Sequence, residues 1–394
     1  MRESQLWKLN LATSKWESAT ITTGIRRAWG GAVASVPSSK RGYFLGGIVE
    51  NRTDIAFTNA PGYEYLGDSF LTFDSGSATF SNKTYSTAGA STLGSIGLGN
   101  LVHIPGIGQE GILVFIGGAQ GPSQQWVPTG TILGVELRDM TKVWVHDIAS
   151  NRWYEQDTAL ASGLTQGPAG RISACAVVVP APDKSSWNIF VYGGGDLDPN
   201  SSEVYGDTWV LSLPSFTWIQ ADTKGEERFE HTCHLVKGSQ MLVVGGRDKQ
   251  QDSAGDPAKN YTTSQADWTC LKQGILSSLD LNTLAWTNSL PATDVDYQVS
   301  SVISKVIGGK YASLLRIVVN WEWELTSFYL VQMVAPRNAS LTTVGVMLPS
   351  LGFWAARVHL HPHPDLTLRM VLILILILVL VYLLAPSSVG LLGV

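Results

Sequence analysis

The sequence predicts an all-β fold of four-stranded units stacked radially, followed by a single C-terminal transmembrane helix. Three observations carry this prediction: apolar runs that end in a glycine pair, a second element that closes on an aromatic residue at a regular interval, and one long stretch without charge near the C-terminus. Composition agrees. Only 15% of the 394 residues are charged, against about 25% in an average globular protein. The 40 Gly, 17 Pro and 14 Trp are unlike an ordinary helical enzyme. A net charge of −5 offers no basic stripe to nucleic acid. Hydrophobicity is too high, and charge too low, for disorder.

The glycine pairs come first. GYFLGG ends at Gly46 and Gly47, ILVFIGG at Gly117 and Gly118, NIFVYGGG at Gly193–Gly195 and MLVVGG at Gly245 and Gly246, with a weaker copy, SKVIGG, ending at Gly309. Each run is short, β-branched and aromatic, as a half-buried strand should be. Glycine at the strand end admits positive φ and close backbone approach.

The second element reads LWKLNLATSKW, FLTFDSGSATF, VWVHDIASNRW, DTWVLSLPSFTW and ILSSLDLNTLAW, closing on aromatics at 16, 80, 153, 218 and 286. Asp74, Asp147 and Asp280 lie six residues before the closing aromatic, with Asn10 and Ser212 in that place in the other copies. The pattern is strand, turn, strand, with the polar side chain tying the turn backbone. Such a unit cannot bury its own faces, but units stacked around an axis can.

Glycine pair, acidic turn and spaced tryptophans together resemble kelch repeats, over about residues 5–309. The resemblance implies a kelch β-propeller of about five to six blades. Residues 6–16 supply the outer half of a first blade, and 293–309 are expected to supply its inner half, so that the chain ends close the ring without an exposed edge. Residues 310–341 fit no blade and read as a divergent last blade or as translated non-coding sequence; the span 310–365 ends in a juxtamembrane linker.

Residues 366–385 contain MVLILILILVLVYLLA, long enough to cross a bilayer as a helix. A short tail, 386–394, follows. The layout, a kelch ring and then a membrane helix, resembles fungal kelch-repeat membrane proteins. Sidedness has competing signals. Arg357 and Arg369 precede the helix, which favours a cytosolic, tail-anchored head. Sequons at Asn51, Asn82, Asn200, Asn260 and Asn338 favour a lumenal or extracellular one, and a lipid-anchor signal is the weakest option. The lumenal or extracellular side is the expectation.

Three cysteines remain. Cys233 and Cys270 fall on the first and third strands of one unit and are the expected disulfide, with separate buried thiols as the alternative; Cys175 reads as a small core residue. His231 beside Cys233 reads as strand packing and not as a metal site, which needs three or four converging ligands. Glu226, Glu227 and Glu230 around Arg228 read as a solvated loop. Some kelch-type propellers are enzymes, notably copper radical oxidases, but no Cys–Tyr placement here supports their site. No catalytic constellation, cofactor or metal is expected.

Function is expected in the longest insertions, roughly 48–67, 119–141 and 247–269, which emerge at one rim of the ring and should converge. Their Tyr63, Tyr65, Trp126, Arg247 and Trp268 suit recognition of a protein or carbohydrate. The expectation is a membrane-anchored binding or scaffold module. The alternative is an enzyme, or an accessory protein of a fungal metabolite pathway, that uses the central cavity.

Overall fold

A computed structural model describes residues 4–21, 25–50, 53–54, 62–67, 69–83, 86–87, 93–121, 127–128, 134–196, 203–247, 274–307, 316–317, 331–332, 344–348 and 352–356. The chain divides into two units, Met1–Leu315 and Arg316–Val394. In the second, Arg316–Ile317 pairs with Val331–Gln332, and Val344–Leu348 pairs with Gly352–Ala356, both antiparallel.

The first unit is built of small antiparallel sheets, and four of them follow the predicted repeat. Sheet I is β3 (Ala32–Val36), β4 (Arg41–Leu45), β7 (Phe70–Asp74) and β8 (Thr79–Lys83) in that order. Sheet II is β11 (Asn100–Ile104), β12 (Ile112–Ile116), β16 (Lys142–Asp147) and β17 (Arg152–Asp157). Sheet III is β19 (Cys175–Pro180), β20 (Trp187–Tyr192), β21 (Asp207–Leu213) and β22 (Thr217–Lys224). Sheet IV is β23 (Phe229–Val236), β24 (Gln240–Arg247), β25 (Leu276–Asp280) and β26 (Ala285–Thr287). The first strands β3, β11, β19 and β23 lie beside one another in turn. This succession is consistent with a kelch propeller.

In sheets I, II and III the glycine pair joins its sheet to the next. The amide of Gly47 donates to the carbonyl of Ile96 at 2.8 Å, that of Gly118 to Arg171 at 2.8 Å, and that of Gly194 to Arg228 at 2.9 Å. The glycines have positive φ, +83° at Gly118 and +92° at Gly194. A Cβ at Gly118 would stand 2.6 Å from the carbonyl oxygen of Gly97, and one at Gly194 2.8 Å from that of Ile172. Only glycine fits there, for both reasons. In sheet IV the counterpart is Gly246, at φ +88°, where a Cβ would stand 2.8 Å from the Phe229 carbonyl oxygen.

Two short parallel strands stitch the outer rim. β9 (Ser86–Thr87), which follows sheet I, pairs with β17 of sheet II, and β18 (Ala159–Leu160), which follows sheet II, pairs with β22 of sheet III. The cores lie between sheets. Leu45 and Phe70 pack with Phe115, Trp144 and Trp153; Val114 and Ile116 pack with Trp209 and Trp218; Phe190 and Tyr192 pack with Met241, Val243 and Leu279.

Four of the five polar turns form as expected; the exception is Ser212, whose buried Oγ has no hydrogen-bond partner among the described residues. The Oδ1 of Asp74 accepts the amides of Gly76 at 2.8 Å and Ser77 at 2.9 Å. Asp280 accepts those of Asn282 and Thr283, Asn10 those of Ala12 and Thr13, and Asp147 that of Ala149. Asn10 ends β1 (Ser4–Asn10), which pairs with β2 (Lys15–Ile21) in a hairpin of the predicted outer-half pattern. Its Trp7 and Trp16 are 58% and 62% exposed, whereas Trp144 and Trp153, at the same turn offsets, are buried.

One element differs from expectation. Among the described residues of 293–309 there is no pair of inner strands: Ser301–Ile307 is a helix, α1. Its apolar residues come in pairs four apart, Val302 with Val306 and Ile303 with Ile307, which form a helical stripe on the sheet III and IV core. The Ser300 carbonyl accepts the amide of Ser304 at 2.9 Å, and its hydroxyl accepts that of Ile303 at 3.5 Å, at the start of the helix. The expected transmembrane helix at 366–385 lies outside the described residues. Among those described, no helix is long and apolar enough to cross a membrane.

Candidate functional site

The insertions of sheets I and II fold into a second layer of strands. β5 (Ile48–Glu50) pairs with β6 (Gly62–Tyr65), and β6 pairs in turn with β14 (Val127–Pro128) from the second insertion, Tyr63 opposite Val127. A neighbouring sheet joins β10 (Ile96–Gly97), β13 (Ala119–Gln120) and β15 (Glu136–Leu137). Two of the three insertions therefore meet, as their equivalent positions required. Arg26 braces the first: its Nε donates to Asp54 at 3.1 Å and its Nη1 to Glu64 at 2.8 Å.

The predicted recognition residues separate on this layer. Tyr63 is half-buried and meets Tyr65 edge-on, ring centroids 6.1 Å apart. Tyr65 is not an exposed aromatic; it is 3% exposed in a small core with Ile48 and Ala119, against which Tyr63, on the same face of β6, packs from the side. Burial raises the hydroxyl pKa of both tyrosines. Arg247 ends β24 and makes two 2.9 Å hydrogen bonds to the Glu230 carboxylate, with its guanidinium 4.5 Å from the Phe229 ring centre. Trp126 and Trp268 lie outside the described residues, as do Asn51, Asn200, Asn260 and Asn338. Asn82 sits exposed on β8, the last strand of sheet I.

Sequence reasoning missed two buried arginines at equivalent places before the first strands of sheets III and IV. Arg171, 1% exposed, donates to the Gly193 carbonyl at 3.0 Å and to both oxygens of Asp207 at 2.7 and 3.2 Å. Arg228, fully buried, donates to the Gly245 carbonyl at 2.8 Å and to Glu226 at 2.6 Å. The cluster around Arg228 is therefore not simply a solvated loop. Burial pushes the Asp207 carboxyl upward, but hydrogen bonding and charge from Arg171, helped by Trp209, outweigh it and hold the pKa below its ordinary value. The repeated Arg just ahead of a strand that leads to a glycine pair was the available signal.

The first strands of sheets III and IV also bring together Cys175, His231 and Cys233. Cys233 was expected to pair with Cys270, which lies outside the described residues; in the structure it is bonded to Cys175, with 5.4 Å between Cα atoms. Cys175 is thus more than a packing residue. The reason is topological: β19 and β23 are neighbours around the stack, so residues one repeat apart meet. One ligand atom from each of Cys175, His231 and Cys233 lies within 4.8 Å of the others, which is a donor set able to hold a metal. His231 Nε2 stands 3.2 Å from the Tyr192 carbonyl, and its Nδ1 has no hydrogen-bond partner among the described residues. Desolvation, reinforced by the Arg228 charge, lowers the His231 pKa to about 4 against the opposing pull of the Tyr192 and Phe229 backbone.

No family model matches the chain. It is 30% identical over 344 residues to a kelch repeat-containing protein of Arthroderma benhamiae, which covers 77% of this chain and 48% of that protein. It is 28% identical over 162 residues to host cell factor 2 of Homo sapiens, covering 37% of this chain and 18% of that one. Host cell factor 1 of Rattus norvegicus is 29% identical over 128 residues, 32% of this chain and 6% of the relative. The chain spans about half the length of the Arthroderma relative. Sheets that each end a strand in a joined glycine pair, and this similarity along most of the sequence, lead to one conclusion: the chain is a homologue of a kelch repeat-containing protein.

Proposed function

We propose that the chain is a kelch propeller that acts as a binding or scaffold module, recognising a protein or glycan through the layer formed by its insertions. The observation that carries this reading is the pairing of β6 with β14, which gives two insertions one shared platform. Tyr63 reaches its surface and the Arg26–Asp54–Glu64 cluster stiffens it, so ordering on binding costs little. The apolar stretch 366–385 anchors the module in a membrane with the propeller on the lumenal or extracellular side, and exposed Asn82 is an accessible acceptor for a glycan.

The test uses the full chain in nanodiscs, probed against a glycan array and a panel of cell-surface ectodomains. Saturable binding to a restricted set, weakened at least about tenfold by Tyr63→Ala with an unchanged melting temperature, supports the reading. Binding that is absent, or indifferent to Tyr63→Ala and Arg26→Ala, overturns it. Membrane placement is tested separately by an endoglycosidase shift in microsomes that diminishes in Asn82→Gln.

A further inference from the structure

The Cys175, His231 and Cys233 cluster has features that a disulfide alone leaves unused. A clasp between sheets III and IV needs two cysteines, and His231 stands within ligand distance of both. His231 is 5% exposed; its Nδ1 makes no hydrogen bond of good geometry among the described residues, and the Tyr192 and Phe229 backbones are the ring's polar neighbours. The other ring nitrogen, Nε2, can donate to the Tyr192 carbonyl at 3.2 Å, which places the proton there and leaves the lone pair on Nδ1. Metal-bound histidines are held in this way, with the second nitrogen bonded to a carbonyl that fixes tautomer and ring.

Charge and access suit the same reading. Two thiolates, a neutral imidazole and a divalent cation sum to zero, which a buried site tolerates. The nearby Arg228 charge is met by Glu226 at 2.6 Å. Cys175 and His231 are buried and Cys233 is half-buried, so the cluster lies toward the edge of the core. Two sulfurs and one imidazole nitrogen make three protein ligands, with room for a fourth from water.

We propose that the reduced protein binds one Zn²⁺ through Cys175, His231 and Cys233, and that closing the Cys175–Cys233 disulfide excludes the metal. On binding, two thiol protons are released and two Zn–S bonds and one Zn–N bond form. Oxidation by glutathione disulfide moves two electrons from the two thiolates into the oxidant's S–S bond. It forms the protein disulfide, two glutathione thiols after uptake of two protons, and free Zn²⁺. The site thereby exchanges one cross-link between the sheets for another.

The full chain is reduced, freed of reductant under anaerobic conditions, and titrated with Zn²⁺ against a chromophoric chelator; Co²⁺ serves as a spectroscopic stand-in. The expected result is one Zn²⁺ per chain beyond what Cys175→Ser binds, and a thiolate-to-Co²⁺ charge-transfer band. His231→Gln should weaken binding at least about tenfold. Cys270→Ser should bind as the parent does, and protein oxidised with glutathione disulfide should bind no metal at this site. The proposal is overturned if the reduced parent binds no more Zn²⁺ than Cys175→Ser, or if His231→Gln leaves both affinity and the Co²⁺ spectrum unchanged. If Cys175→Ser fails to fold, the His231→Gln comparison still decides.

Discussion

The amide of Gly194 meets the carbonyl of Arg228 at 2.9 Å, the third in a series of equivalent bonds that tie each sheet to its successor. Gly194 belongs to sheet III and Arg228 leads into sheet IV, so this contact joins the two sheets through main-chain atoms alone.

Gly194→Ala should therefore be far more damaging than an ordinary Gly→Ala change. Gly163 is the control, because it has the same φ of +92° but a Cβ there would meet nothing within 4 Å. We expect Gly163→Ala to cost about 1 kcal/mol from backbone strain alone. Gly194→Ala adds a clash with the Ile172 carbonyl oxygen at 2.8 Å and should cost at least about twice as much. Urea unfolding midpoints of the two variants check this.

Asp207 neutralises a buried guanidinium. Asp207→Asn should destabilise the protein by about 2 kcal/mol, less than for a fully buried pair because the carboxylate side chain is 31% exposed. Since the folded-state pKa is depressed, the stabilisation is present above the ordinary carboxylate pKa near 3.9 and is lost as pH falls through the lower folded value. Melting temperatures from pH 7 to pH 3 should show the two proteins converging in acid.

His231 works over a different range. With a folded pKa of about 4 against an unfolded value near 6.5, the unfolded chain takes up its proton first. Stability of the metal-free protein should fall between these two values by about 3 kcal/mol in total, and His231→Gln should remove that component. Chemical unfolding at pH 7, 5.5 and 4 measures it.

Repeat-equivalent tryptophans should behave unequally. Trp153→Ala removes a fully buried ring packed edge-on against Phe70 at 5.4 Å and should cost about 3–5 kcal/mol. Trp16→Ala, at the same turn offset in the β1–β2 hairpin but 62% exposed, should change stability by about 0.5 kcal/mol or less. Equal losses would mean that the hairpin packs as the other outer pairs do.

What could be read in advance follows from where the backbone restricts residue identity. Gly47, Gly118 and Gly194 were legible because positive φ and close approach permit little else, and Asp74, Asp147 and Asp280 because a turn amide needs a short acceptor. The Arg171–Asp207 pair was hidden because a charged side chain gives no local sign of burial, which depends on a partner 36 residues away. Helix α1 was obscured by the SKVIGG ending, although the two apolar pairs four residues apart carried the opposing period. The Cys175–Cys233 link was open to deduction, since a separation of 58 residues is close to one repeat, but the pairing was sought within a unit and not between units.

The acceptors of the three joining bonds are Ile96, Arg171 and Arg228, one aliphatic residue and two arginines. The join itself uses only main-chain atoms, so an aliphatic side chain at the acceptor serves as well as a guanidinium, although the two arginines add a second tie to the carbonyls of Gly193 and Gly245. Over evolutionary time each repeat is free to drift in composition, acquire a guanidinium here or an aliphatic there, and still remain attached to its neighbour. What inheritance must preserve is a short punctuation of glycines, and the text between them can be rewritten.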